Sequence, residues 1–117
     1  MNLKECYQAL GGDYDGVLGR LRTERMITKF VLKFLDDKSC ENLMDAVARK
    51  DAEEAFRAAH TIKGICQNLS FDLLYRSSHE LAELLRGGVW DEAAVGLAGQ
   101  VQADYEVTAG AIRQLDA

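Results

Sequence analysis

The sequence predicts an all-α fold, an antiparallel up-down-up-down four-helix bundle with an additional short N-terminal helix. Three observations predict it. The 117 residues include no proline, so no ring removes an amide donor inside a helix. The chain is rich in Ala, Leu, Glu, Lys and Arg, which are strong helix formers. Apolar residues recur at helical spacing in successive segments joined by short polar or glycine turns, and short connections favour antiparallel neighbours.

A first helix is expected over Leu3 to Leu10, stopped by Gly11-Gly12 as a C-cap. A second is predicted from about Val17 to Leu35, with Leu18, Leu21, Ile27, Phe30, Val31 and Phe34 at helical spacing. Asp36-Asp37 interrupts it, and Ser39 is the expected N-cap of a segment carrying Leu43, Met44 and Val47. The pattern leaves open whether these two segments are one kinked helix or two. Asp51, with Glu54 three residues later, has the arrangement of a capping box and starts the helix that runs through His60 to Leu69. After a turn at Ser70-Phe71, a helix is expected over Asp72 to Arg86 with Leu74, Leu81, Leu84 and Leu85 inward, and Gly87-Gly88 stops it. Trp90 is placed to staple onto Val95 across an N-cap at Asp91. The last helix continues to about Gln114 on Leu97, Val101, Tyr105, Thr108, Ile112 and Leu115. Glycine in a helix interior costs about 1 kcal/mol relative to Ala, so Gly96, Gly99 and Gly110 predict the close approach of a neighbouring helix.

The length suits one domain over residues 1–117, and 48% hydrophobic residues can fill a compact core. The formal charge of −5, from 14 basic and 19 acidic side chains, argues against nucleic-acid binding, which usually needs a basic field. No window approaches the ~18 consecutive apolar residues of a membrane span. The segment Met1-Asn2-Leu3-Lys4-Glu5-Cys6 lacks the apolar core of a signal peptide. A soluble cytoplasmic protein is expected, and a monomer, since no heptad seam demands a dimer. Cys6, Cys40 and Cys66 are widely spaced with no Cys-x-x-Cys pair, which disfavours a disulfide framework or a zinc site.

The residue that carries most information is His60. On a helical wheel of 51–69, Ala55, Ala58, Ala59, Ile62, Ile65, Cys66 and Leu69 gather on one side as a core-facing stripe. His60 points roughly opposite the centre of that stripe. Lys63, Gly64 and Gln67 follow at i+3, i+4 and i+7 and line the same strip. A neutral imidazole is nucleophilic, Lys63 supplies a cation one turn away, and Gln67 can hydrogen-bond phosphoryl oxygens. Gly64 has a helix-propensity cost to offset, and beside His60 it removes a Cβ where a partner backbone would approach. Phe56 lies one turn before His60 on the polar side, either as part of a partner-binding patch or covered by residues 17–37. This combination points to phosphoryl transfer and docking. His79, with Glu83 at i+4, reads as an ordinary surface histidine, and Tyr75 and Arg76 face out similarly.

The run His60-Thr61-Ile62-Lys63-Gly64, followed by Gln67-Asn68-Leu69, resembles the signature of histidine phosphotransfer (HPt) domains of multistep two-component phosphorelays. Lys50 to Ala59 is similar to the usual approach to the histidine, and Leu73 to Leu85 resembles the following helix, so the likeness covers essentially the whole chain. It implies a four-helix bundle phosphorylated on Nε2 of His60, with Lys63 and Gly64 assisting. Two departures stand out. Ser70 occupies a turn position where many members have glycine, and Ala82 lies near where many carry a Glu or Gln that reaches towards the histidine. Gln67 is then the better candidate for supporting His60. The implied partners are response-regulator receiver domains and a hybrid sensor histidine kinase. The receiver is expected to bring Mg²⁺, with no cofactor or metal held by this chain and no independent catalytic site. The rival expectation is an HPt-like helical adaptor that binds receivers or other proteins without carrying phosphate. A metal-dependent hydrolase is disfavoured because the two histidines have no His-x-x-x-His or Glu-x-x-His spacing.

Overall fold

The computed structural model describes residues 1–116. Among these residues the chain forms seven helices and no strand: α1 (Leu3–Leu10), α2 (Tyr14–Leu21), α3 (Glu24–Phe34), α4 (Ser39–Ala48), α5 (Ala52–Leu69), α6 (Asp72–Leu85) and α7 (Ala93–Ile112). Helices α4 to α7 form a ring of neighbours. α5 packs on α4 and α6, while α7 packs on α6 and closes back onto α4. α1 lies on α7, α2 contacts α1 and α3, and α3 touches α5 and α7. The extents of 41 × 23 × 19 Å follow from α5 and α7, whose 18 and 20 residues make about 27 and 30 Å of helix.

Polar side chains at the starts of segments decide where most of these helices begin. Asn2 and Glu5 form a reciprocal capping box on α1, while Asp13, Thr23 and Asp51 each accept a first-turn amide. The single helix expected from Val17 to Leu35 is in fact two. Arg22 takes a left-handed φ of 76° and ends α2. Thr23 then accepts the Met26 amide at 3.2 Å and starts α3 afresh. Asp37, rather than Ser39, closes the start of α4. Its carboxylate accepts both the Ser39 amide at 3.2 Å and the Ser39 hydroxyl at 2.7 Å, which makes Ser39 the first helical residue. At Asp51 one half of the expected box is present, the bond from the Glu54 amide at 3.1 Å.

The core is one cluster fed by every helix. On α5 the buried face is Ala52, Ala55, Ala58, Ala59, Ile62, Cys66 and Leu69, mostly the predicted stripe, and its small side chains let α4 and α6 pack close. Ile65 is only half-buried. Near the α5–α6 turn, Phe71 meets Tyr7 at 5.7 Å and Phe34 at 5.3 Å between ring centroids, and Phe34 meets Tyr105 at 5.6 Å. The Tyr7 hydroxyl, fully buried, donates to the Leu69 carbonyl at 2.7 Å. All three cysteines are free and buried. Burial pushes the Cys6 and Cys40 thiols up to about 11 and the Cys66 thiol higher still.

Two expectations about α7 fail. A Cβ built on Gly96, Gly99 or Gly110 would meet nothing within 4 Å, so no helix approaches closely at these glycines and they carry their propensity cost without a packing return. The N-cap residue is Glu92, one later than expected, which puts Asp91 and Gly96 at the staple positions. Val95 is therefore 53% exposed, and the Trp90 indole donates instead to Glu92 at 3.0 Å. The helix ends at Ile112, two residues short of Gln114.

Gly12 is a glycine the fold requires. A Cβ there would lie 2.7 Å from the Ser70 carbonyl oxygen and 2.8 Å from the side chains of Tyr7 and Leu10. Gly12→Ala is therefore expected to destabilise the protein by about 1–3 kcal/mol, whereas Gly99→Ala should stabilise it by roughly 0.5–1 kcal/mol. Chemical denaturation of both variants checks this; a stabilising Gly12→Ala would show that the α1–α2 turn does not press on Ser70.

Candidate functional site

α5 presents His60 half-way along its length, exposed to solvent. Helix geometry places Gly64 one turn on, also exposed, with open space where a Cβ would be. Nothing within the fold accounts for a glycine at that position. The ring of Phe56, half-buried one turn before, stacks on the imidazole at 5.6 Å with an interplanar angle of 22°. On the other flank, Ile65 and Leu69 form a shallow apolar groove of about 250 Å³ with Phe30, Lys33, Phe34 and Asp37.

Lys63 is not the free ammonium that its wheel position suggested. Its side chain is 16% exposed, leaning towards α6, with Nζ 3.9 Å from Glu83 Oε1. The same Glu83 oxygen accepts from Arg86 Nη2 at 2.5 Å. Arg86 reaches across the end of the α5–α6 pair and sets its guanidinium over the Phe56 ring at 5.6 Å. His60, Phe56 and Arg86 line one cavity of about 350 Å³ together with Glu53, Arg57 and Gly88. The cover on Phe56 thus comes from the end of α6. In an acidic protein, Arg57 and Arg86 line the cavity of the exposed imidazole, and Lys63 lies one turn along the helix.

Gln67 is exposed two turns beyond His60, about 10 Å along the axis. It lines a second shallow cavity with Gly64, Asn68 and Arg20. Arg20, from α2, donates to the carbonyl oxygens of Gln67 and Asn68 at 3.2 Å each and to the Ser70 hydroxyl. It neutralises the negative end of the α5 dipole and leaves a cation at the lower end of the strip. Arg20, Glu83 and Arg86 were not picked out as site residues in the sequence. Counting outward from the Ser70-Phe71 turn brings residue 85, next to Arg86, opposite residue 56, so an antiparallel pairing of α5 and α6 held a signal for Arg86. Arg20 sits 40 residues before His60, and no local pattern reveals it.

His79 departs from the surface role expected of it. It is half-buried, its ring stacks on Tyr75 at 5.6 Å, and its Nδ1 is buried without a hydrogen-bond partner among the described residues. Among those residues no three His, Cys, Asp or Glu side chains come together as a metal site, and no helix is long and apolar enough to cross a membrane.

A family model described as "Hpt domain" matches residues 34–115. The chain belongs to the Hpt domain family. No curated protein and no solved structure matches it. Hpt domains are phosphocarrier modules of histidine phosphotransfer in two-component phosphorelays, where they interact with receiver domains and histidine kinases. The matched stretch contains the ring α4 to α7 and with it His60, Lys63, Gly64 and Gln67. α1, α2 and the turn between them lie outside it, yet they supply Tyr7, Arg20 and Gly12 to the end of α5.

Glu83 is the ionisable group on which this Hpt domain's charge arrangement turns. The hydrogen bond from Arg86 holds its carboxyl below the usual value, against partial desolvation, and the charges of Arg86, His79 and Lys63 add to the effect. A lowered pKa means that the pairing is complete above the ordinary carboxylate range and is lost as pH falls through the lowered value. An NMR titration should give Glu83 a midpoint below that of an ordinary Glu, returning towards it in Arg86→Ala. Identical midpoints in the two proteins would contradict the bond.

Proposed function

We propose that this Hpt domain accepts a phosphoryl group on His60 from the phosphoaspartate of one receiver domain and passes it to the aspartate of another. The observation that carries the reading is an exposed mid-helix imidazole beside Gly64, where open space lets a partner backbone come close. In the accepting step the unprotonated Nε2 attacks phosphorus. The N–P bond forms, the P–O bond to the receiver's aspartate breaks, and the carboxylate leaves with the electron pair. The reverse transfer onto a second receiver uses the same geometry. Catalysis of this kind is mostly positioning and charge stabilisation, and the receiver brings the Mg²⁺ that neutralises charge on the transferring group.

On this reading each residue of the strip has a separate task. His60 is the nucleophile. Lys63 meets the phosphoryl oxygens from one turn away. Gly64 admits the partner, and Phe56 offers an apolar contact that also props the imidazole ring. Gln67 lies too far along the axis to hold the ring itself, so it addresses the docked receiver and the phosphoryl group arriving from it. The ring α4 to α7 serves as the up-down-up-down bundle that displays the strip, with α1 to α3 buttressing one end. Residues 1–117 would act as one domain, as a cytoplasmic monomer, with a hybrid sensor histidine kinase as the upstream donor.

The decisive experiment is phosphate transfer from a phosphorylated receiver with Mg²⁺, read as an acid-labile, alkali-stable label. His60→Gln should abolish the label while its helical circular dichroism stays at the wild-type level, because the side chain is exposed. A label that persists in this variant would move the phosphorylation site elsewhere. Receiver binding without any label on the wild type would identify a non-transferring adaptor instead.

Gly64→Glu is a second test of the docking surface. The added side chain has open space around it, so folding should be unaffected. Receiver affinity should fall by about tenfold or more, since a carboxylate placed between the surfaces meets both steric conflict and the negative charge of the incoming phosphoaspartate. Wild-type binding and transfer by this variant would show that the partner does not approach at Gly64.

A further inference from the structure

Glu83 stands between two of the cations near His60, Lys63 and Arg86. Its Oε1 faces Lys63 Nζ at 3.9 Å and Arg86 Nη2 at 2.5 Å, and its Oε2 takes a second bond from Arg86 Nε at 3.3 Å. Lys63 is one helical turn from His60. Arg86 lies over the ring that stacks on His60 and lines the same cavity. Lys63, one turn away, and Arg86, on the shared cavity, are thus placed to turn towards a group attached to the imidazole, and both are engaged by one carboxylate.

A phosphoryl group on His60 changes that competition. It carries two negative charges near neutral pH, against one on the carboxylate, and it draws Lys63 and Arg86 towards itself while Glu83 draws them back. We infer that Glu83 is a positioning residue that sets the lifetime of the phosphohistidine by competing with the phosphoryl group for Lys63 and Arg86. The inference rests on the phosphotransfer reading above.

The direction of the effect follows from the charge flow. In hydrolysis a water oxygen attacks phosphorus, the N–P bond breaks, the imidazole nitrogen keeps the electron pair and takes one of the water's protons, and phosphate leaves with the water's oxygen and its other proton. The transition state is loose, so the phosphoryl group sheds charge towards the single negative charge of metaphosphate. A cation therefore holds the ground state more strongly than the transition state. Releasing the cations from Glu83 slows loss of the group, and removing them speeds it. Glu83 and Arg86 lie largely at the surface and only Lys63 is mostly covered; ion pairs so exposed have a modest effect, so Glu83 adjusts the lifetime and does not act as an on-off switch.

The test uses phosphoramidate, a small donor that phosphorylates exposed histidines without a receiver. Loss of acid-labile label from His60 is followed at fixed, mildly alkaline pH, with His60→Gln subtracting any label on His79. Glu83→Gln should lengthen the half-life by about two- to fivefold, the range expected of exposed ion pairs. Lys63→Ala and Arg86→Ala should each shorten it, and Glu83→Asp should stay nearer to wild type than Glu83→Gln. In a background lacking both cations, Glu83→Gln should have no effect, a coupling that a purely structural role would not produce. An unchanged or shortened half-life in Glu83→Gln, or the same lengthening without the cations, would overturn the inference. The expected lifetimes in a protein that exchanges phosphate with no receiver would support the inference and overturn the proposed relay function.

Discussion

The structure depends on how the C-terminal end of α5 is held. A helix ends with four carbonyls that have no partner within it, and on α5 that end also aims a negative dipole at the α5–α6 turn. Tyr7 donates to the carbonyl of Leu69, Arg20 to those of Gln67 and Asn68, and the amide of Phe71 returns to Cys66. Gly12 brings the α1–α2 turn against Ser70, whose carbonyl accepts the Asp13 amide at 2.9 Å. The turn itself is strained, since Ser70 takes a left-handed φ of 58°, which favours glycine. Its hydroxyl bond to Arg20 and its carbonyl bond to Asp13 offset that cost. With one end clamped in this way, α5 can leave its centre bare.

That bare centre is where fold and chemistry meet. The side of α5 that faces α4 and α6 is built largely from alanine, so the neighbours pack close while the opposite side keeps His60 and Gly64 uncovered. The cations come from different places. Lys63 belongs to α5 itself and leans onto α6, Arg86 crosses from the end of α6, and Arg20 arrives from α2. In a chain of net charge −5, this local collection of positive groups makes the strip fit to receive an anion. Glu83 keeps two of those groups paired while no anion is there.

Some of this arrangement was legible in the sequence because it is periodic and local. The stripe of 55, 58, 59, 62, 66 and 69 is read directly at ~100° per residue, and its opposite face locates His60, Gly64 and Gln67. Glycine pairs and Asp51 marked helix ends through their own backbone and side-chain chemistry. Local pattern and structure part where the local signal is weak. Thr23 capped a new helix inside what looked like one apolar run. Asp37 took the capping role that Ser39's residue type suggested. The glycines of α7 suggest close contacts by their propensity cost, yet they face open space.

Periodicity therefore determined, from the sequence alone, that the chain is helical, which face of α5 is buried, and that the imidazole points out. It could not determine which side chains from other helices surround that imidazole, because those contacts depend on the pairing of α5 with α6 and on the path of α1 and α2. Lys63 is tucked against Glu83, Arg86 lies over Phe56 and Arg20 caps α5 only once these helices are packed. Such contacts join residues tens of positions apart, and their geometry is decided by how the buried faces fit together, which no local spacing encodes.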